Sequence, residues 1–279
     1  VRLMQKTFLN IGDTAGVASL LSKYLSAFYS IESQVVGYRH LDTMGITAFY
    51  GGKLLPRSRL TNARLLLIAS RFPAVHLHVH VDLALRLRSI YPGKKLIVHW
   101  HGEELRLRGW RGVSSITRAA DATFVSTQDL LHGAPEGVVY LPNPVDTEHF
   151  RPMPSLRRQN SALYLVKRQR NEDTEWARRL ASRLGLELEV RDRVADPVDY
   201  GRMPELLNRY EYYIDRNYIQ SLSKTALEAL SCGVKVIDWK EDVVTALPED
   251  HRPRNVVERF VSALRARSFD SILQVDQGI

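Results

Sequence analysis

Short apolar runs alternate with helical spacings along most of this 279-residue chain. Val17, Leu20, Leu21, Tyr24, Leu25 and Phe28 recur at i, i+3, i+4, i+7, i+8 and i+11, one face of an amphipathic helix. A strand over residues 2–9 and a turn-rich loop over 10–16 precede it. Strands are predicted over 34–38, 75–80, 96–99 and 123–126, with helices over 61–71 and 83–90. The second half repeats the rhythm: strands over 161–166, 186–191 and 212–215, a helix over 172–184 ended by Gly185, and a short helix over 203–208. Such alternation predicts an α/β fold with mostly parallel sheets. No repeat of 20–50 residues and no low-complexity tract interrupts it.

Two stretches are more specific. In residues 221–237, polar Ser221, Ser223 and Thr225 open a helix on which Thr225, Ala226, Ala229 and Leu230 share a face. Gly233 follows its end, where a positive φ is needed, and Val234, Val236 and Ile237 read as a buried strand. Free N–H groups at a Ser/Thr-lined helix start form an anion site, and Glu228, further along, can hold a pair of sugar hydroxyls. Residues 140–152, Tyr-Leu-Pro-Asn-Pro-Val-Asp-Thr-Glu-His-Phe-Arg-Pro, form a stiff connector, because two prolines bracket Asn143 and hold the residues before them extended. A connector of this kind at mid-chain divides the protein into domains 1–142 and 143–279.

The run Leu227-Glu-Ala-Leu-Ser-Cys-Gly233 resembles the donor-nucleotide motif of the GT-B glycosyltransferases of family 4, and the 140–152 connector resembles their interdomain crossing. The resemblance implies the GT-B plan, two Rossmann-like βαβ domains facing each other across a cleft, with the acceptor on the N-terminal side and the donor nucleotide on the C-terminal side. It gives Glu228 the nucleotide ribose. The first glutamate of the family motif is replaced by Gln220, which keeps hydrogen-bonding capacity without charge, at the donor-sugar position. Ser221, Leu222, Ser223, Lys224 and Thr225 then line the donor site. Gly16, closing Gly12-Asp-Thr-Ala-Gly16, resembles the glycine loop after the first GT-B strand; it is neither a dinucleotide fingerprint nor a P-loop. A plain strand-to-helix turn is the alternative there.

The family also places a histidine at the end of an N-domain strand, close to the donor sugar. His101, before Gly102, is the better match and His99 the second; alternation sends both to the same side. After the first strand of the second half, Lys167, Arg168 and Arg170 match the family's diphosphate-neutralising cations, Arg168 first. His76, His78 and His80 share a strand face at i, i+2, i+4, and imidazoles suit zinc and copper. No cysteine joins them, and the expectation is a strand end near the cleft with no metal, as the resemblance implies metal-independent transfer.

The single Cys232 excludes an internal disulfide and fits a reducing cytoplasm; no secretory signal and no membrane-spanning apolar run are visible. Charge adds a partner class. The net +8 lies wholly in residues 1–142, with 17 Lys/Arg against 9 Asp/Glu, whereas residues 143–279 hold 22 of each. Arg57, Arg59, Arg64 and Arg71 surround the 61–71 helix, and Arg106, Arg108 and Arg111 follow the His101 loop. A basic face of this kind suits an anionic acceptor, such as a lipid-linked phosphate at the cytoplasmic membrane face.

The expected activity is therefore transfer of a hexose from a nucleoside diphosphate sugar to an acceptor, with retention of anomeric configuration implied by the resemblance. The alternatives are a non-catalytic sugar-nucleotide or glycan-binding relative, a phosphorylase on the same fold, and a nucleic-acid-binding protein. No zinc-finger, helix-turn-helix or RNP pattern supports the last.

Overall fold

The computed structural model describes residues 7–58, 60–166 and 171–273. The chain divides into two compact units, residues 1–144 with 253–279, and residues 145–252.

The first unit contains β1 (Phe8–Ile11), α1 (Val17–Tyr29), β2 (Ser33–Tyr38), α2 (Ile46–Phe49), β3 (Lys53–Leu55), α3 (Thr61–Ala69), β4 (Ala74–Leu77), α4 (Leu83–Ile90), β5 (Lys95–Trp100), α5 (Glu103–Gly112), α6 (Ser114–Ala119), β6 (Ala122–Val125) and β7 (Val139–Tyr140). All seven strands run parallel in the order β3-β2-β1-β4-β5-β6-β7. A parallel sheet needs cover on both faces, and alternation along each strand supplies it. Leu9, Val75, Leu77, Val98 and Trp100 face one core with Leu65 of α3 and Leu87 of α4. Phe8, Ala74, Ile97 and Phe124 face the other with Leu20, Leu21 and Leu25 of α1.

The second unit contains β8 (Arg158–Val166), α7 (Asn171–Arg183), β9 (Glu187–Asp192), α8 (Met203–Asn208), β10 (Tyr210–Ile214), α9 (Lys224–Ser231), β11 (Lys235–Ile237) and β12 (Val243–Val244). Its order is β12-β11-β10-β8-β9, parallel except for β12 against β11. Val145 N donates to His251 O at 3.1 Å, so the chain enters and leaves this unit at adjacent points.

What leaves it is α10 (Pro253–Arg265), which belongs to the first unit. Val256, Val257, Phe260, Val261 and Leu264 of α10 are buried in the α1-side core. Phe260 packs its ring on Phe8 and Phe124. The expected boundary near residue 142 is thus followed by a return that the sequence reading did not contain: the second unit stops at Arg252, not at residue 279.

Strand ends differ from expectation in one place that matters. β4 ends at Leu77, and His80 has φ +53°, so the i, i+2, i+4 alternation does not extend to it. His80 stands edge-on against Tyr38, apart from His76 and His78. Of the predicted 2–9 strand, residues 1–6 lie outside the described residues.

Candidate functional site

Two constellations gather the candidate residues, one in each unit. The first lies on the α1/α10 face of the parallel sheet, where β4 and β5 end. His76 and His99 point to that face by alternation, and His78 and His101 follow just past the strand ends. His76 Nδ1 and His78 Nε2 are 3.2 Å apart, and His78 Nδ1 and His101 Nε2 are 3.0 Å apart. Ser126, at the end of β6, places its Oγ 2.8 Å from His101 Nδ1 and 3.0 Å from His99 Nε2.

These contacts form one unbranched chain: His76, His78, His101, Ser126, His99. A neutral imidazole has one N–H and one accepting nitrogen. If His78, His101 and the Ser126 hydroxyl each donate to one neighbour and accept from the other, all protons along the chain point the same way. The end nitrogens, His76 Nε2 and His99 Nδ1, are buried and without a hydrogen-bond partner among the described residues, as is Asn10 Nδ2 on the neighbouring strand. Burial holds all four rings neutral. It pushes His76, His78 and His99 well below the usual histidine value, with the neighbouring imidazoles adding to the shift. His101 is pushed down to about 3 by burial.

This geometry narrows the expected roles. His99 is fully buried between His76 and Phe124. His101 reaches the surface in part, but both of its nitrogens already have internal partners. Contact with a ligand would require it to exchange one of them. His76, His78 and His99 each offer a nitrogen within 4.8 Å of the others, a set able to approach one metal ion. It is a different trio from the His76, His78, His80 set that spacing suggested.

The glycine loop is explained by its turn. Gly16 has φ +78°, and a Cβ there would lie 2.9 Å from Ile46 Cγ2. The N–H groups of Ala18 and Ser19 at the start of α1 already bond the Asp13 carboxylate, at 2.9 and 3.3 Å. The position a phosphate would take is filled by the protein's own anion.

The second constellation surrounds the start of α9. Ser223 is its N-cap, its Oγ accepting from Ala226 N at 3.1 Å. Asp215, at the end of β10, accepts from Ser223 N at 2.7 Å and fixes the approach to the helix. Burial pushes the Asp215 carboxyl upward. The other end is closed as the sequence predicts. Gly233 has φ +70°, Gly233 N bonds Leu230 O and Val234 N bonds Ala229 O, a Schellman motif. Arg157 donates to the Cys232 and Gly233 carbonyls at 2.9 and 2.7 Å. Cys232 is buried, and burial first, then Glu228, pushes its thiol up to about 12, so it packs and does not react.

Glu228 is 3% exposed. Lys224 Nζ lies 3.1 Å from its Oε1, and Tyr200 OH donates to the same oxygen at 3.4 Å. Thr225 is buried and accepts from Arg193 Nη2 at 3.2 Å. Arg193 itself follows β9, and its backbone N–H bonds Val166 O at the end of β8. It therefore brings a guanidinium to the carboxyl ends of the strands beside the α9 N-terminus. Sequence reasoning missed Arg193. A cation one residue past a predicted strand in the donor half was the available signal. Ser221 and Leu222 are half-buried in the loop before α9, and Gln220 is exposed there. Lys167, Arg168 and Arg170 lie outside the described residues.

No family model matches the sequence, and no curated protein matches it. Solved structures do match. HepE of Anabaena, in complex with UDP and glucose, has a TM-score of 0.58 at 11% identity over 96% of this chain and 94% of its own. The UDP-N-acetylglucosamine 2-epimerase of Rickettsia bellii has a TM-score of 0.52 at 11% identity over 98% and 99%. The UDP-GlcNAc 2-epimerase of Neisseria meningitidis, bound to UDP-GlcNAc, has 0.51 at 13% identity over 97% and 94%. At such identities the likeness is one of fold, and the fold of this chain is the two-unit α/β architecture of GT-B proteins.

Proposed function

We propose that the second unit binds the nucleoside diphosphate of a sugar nucleotide at the start of α9 and that the protein transfers the sugar to an acceptor on the first unit, with retention. The observation that carries this reading is the Arg193 guanidinium on Thr225, in the first turn of a Ser-capped helix that begins beside the strand ends, with the Lys224–Glu228 pair reaching one turn further along. Ligands in open parallel sheets bind outside the carboxyl ends of the strands. As the glycosidic bond breaks, the departing diphosphate gains negative charge, and fixed cations with free helix N–H groups stabilise it. Arg193 takes the part that the sequence alone assigned to Arg168, with Lys167, Arg168 and Arg170, which follow β8 in the sequence, as further cations. Glu228, oriented by Lys224 and Tyr200, receives the ribose hydroxyls, and Gln220, in the loop before α9, meets the sugar. No metal is assigned to this step, because the cations present are of the kind that neutralise a diphosphate.

A second reading is favoured by two of the fold neighbours, which are UDP-GlcNAc 2-epimerases. It keeps the sugar-nucleotide site and replaces transfer by epimerisation. A thermal-shift panel of UDP, GDP, ADP, CDP and TDP sugars identifies the donor by mass action. Incubating that donor with candidate acceptors and resolving the products by mass then decides. A product heavier by one sugar, with free nucleoside diphosphate, supports transfer. An isomeric sugar nucleotide of unchanged mass supports epimerisation, and stabilisation by none of the panel rejects both.

A further inference from the structure

Residues 43–81 contain Lys53, Arg57, Arg59, Arg64 and Arg71 and not one Asp or Glu. The centre of this stretch is α3, whose buried face is Thr61, Leu65 and Ala69. Its opposite face reads Leu60, Arg64, Leu67, Arg71, at i, i+4, i+7 and i+11, a single line along the helix and its flanks. Leu60 and Leu67 are 62% and 64% exposed. Arg57, Arg64 and Arg71 are exposed as well, and Arg59 lies outside the described residues. Other arginines of this unit are drawn into internal pairs: Arg106 with Asp129, Arg108 with Asp82 and Glu104, Arg88 with Asp121. The acid-free stretch places no carboxylate of its own beside the α3 arginines.

We propose that this face of α3 docks on an anionic lipid bilayer, with Leu60 and Leu67 entering the headgroup boundary and Arg57, Arg64 and Arg71 meeting lipid phosphates. A nucleic acid would use the arginines and gain nothing from two leucines held out to water; an anionic bilayer uses both. Among the described residues no helix is long and apolar enough to cross a membrane, so the contact is peripheral. The proposal is independent of the sugar-nucleotide reading, since α3 belongs to the first unit and the α9 site to the second.

The test is flotation of the full chain with vesicles of phosphatidylcholine alone and of phosphatidylcholine mixed with phosphatidylglycerol, with single-stranded RNA binding measured in parallel. Binding is expected to the mixed vesicles only. It should weaken as salt rises from about 0.1 M to about 1 M, where the screening length falls from ~10 to ~3 Å. Leu60→Ser/Leu67→Ser and Arg64→Glu/Arg71→Glu should each lower the bound fraction about tenfold or more. All four side chains are exposed, so melting temperatures should match the parent chain. Nucleotide binding measured on the same variants should be unchanged, which separates this surface from the donor site. Equal recovery with both vesicles, recovery with neither, wild-type flotation by both variants, or RNA binding without vesicle binding would each overturn the proposal.

Discussion

Glu228 and Lys224 form an ion pair one turn apart on α9, with both side chains withdrawn from water. Removing one partner leaves a charge buried without compensation, at a cost of about 3–5 kcal/mol, whereas replacing both by apolar residues costs far less. Glu228→Leu should therefore lower the free energy of unfolding by about 3 kcal/mol in urea titrations, and Lys224→Met/Glu228→Leu should recover most of that loss. A double variant as unstable as the single would show that the pair does not act as a unit. The start of α9 at Ser223 and its end at Gly233 were legible in the sequence because both follow from spacing along one helix, whereas the ribose role of Glu228 came only from the resemblance. Arg193 was not legible: it matters only because β9 lies beside β8, which brings it to Thr225 from 32 residues away. The same holds for Ser126, which joins His99 to His101 only through the pairing of β5 with β6.

At the scale of elements, the ends of β4 and β5 hold four neutral imidazoles, and this makes folding pH-dependent. Their folded values are lowered, so as pH falls below about 6.5 the unfolded chain takes up protons before the folded one does. Their contribution is whole above pH ~6.5 and is lost as pH drops towards the folded values, by up to about 1.4 kcal/mol per imidazole per pH unit. Asp13 runs the other way: its carboxyl is raised from 3.8 to about 6, chiefly by burial, so its share is present below the lower value and is lost as pH rises through the higher one. Asp215, pushed up by burial, acts in the same direction as Asp13; four bases still outweigh two acids, and urea midpoints should fall steeply between about pH 6.5 and pH 5. A flat profile would mean that the imidazoles are charged or solvated in the folded protein. Helix α10 carries the second prediction at this scale. Phe260→Ala removes a buried ring from Phe8, Phe124 and His76 and should cost about 3–5 kcal/mol. A loss below about 1 kcal/mol, read by the same titration, would contradict the placement of α10 in this core. Val256, Val257, Phe260, Val261 and Leu264 do have amphipathic spacing, a helix signal that the sequence reading left unused. The allegiance of α10 was not legible, because spacing tells which face is buried and not which sheet buries it.

Across the whole molecule, the fold followed from alternation of strand and helix signals, and the division near the proline-bracketed Asn143 followed from the connector. The return of α10 sharpens the charge division that the sequence suggested. The first unit holds 21 Lys/Arg against 12 Asp/Glu, and the second 18 against 19. The unit proposed to receive a diphosphate is thus close to neutral, and its attraction for an anion must come from a few placed groups, not from a summed field. Arg193 at the α9 N-terminus is the most direct probe of that claim. Isothermal titration of the full chain with UDP, GDP, ADP, CDP and TDP should find at least one that binds, and Arg193→Ala should weaken that binding by about 1.5–3 kcal/mol, the range for hydrogen bonds to a charged group. No binding of any nucleoside diphosphate, or equal affinity in the folded Arg193→Ala variant, would contradict the account.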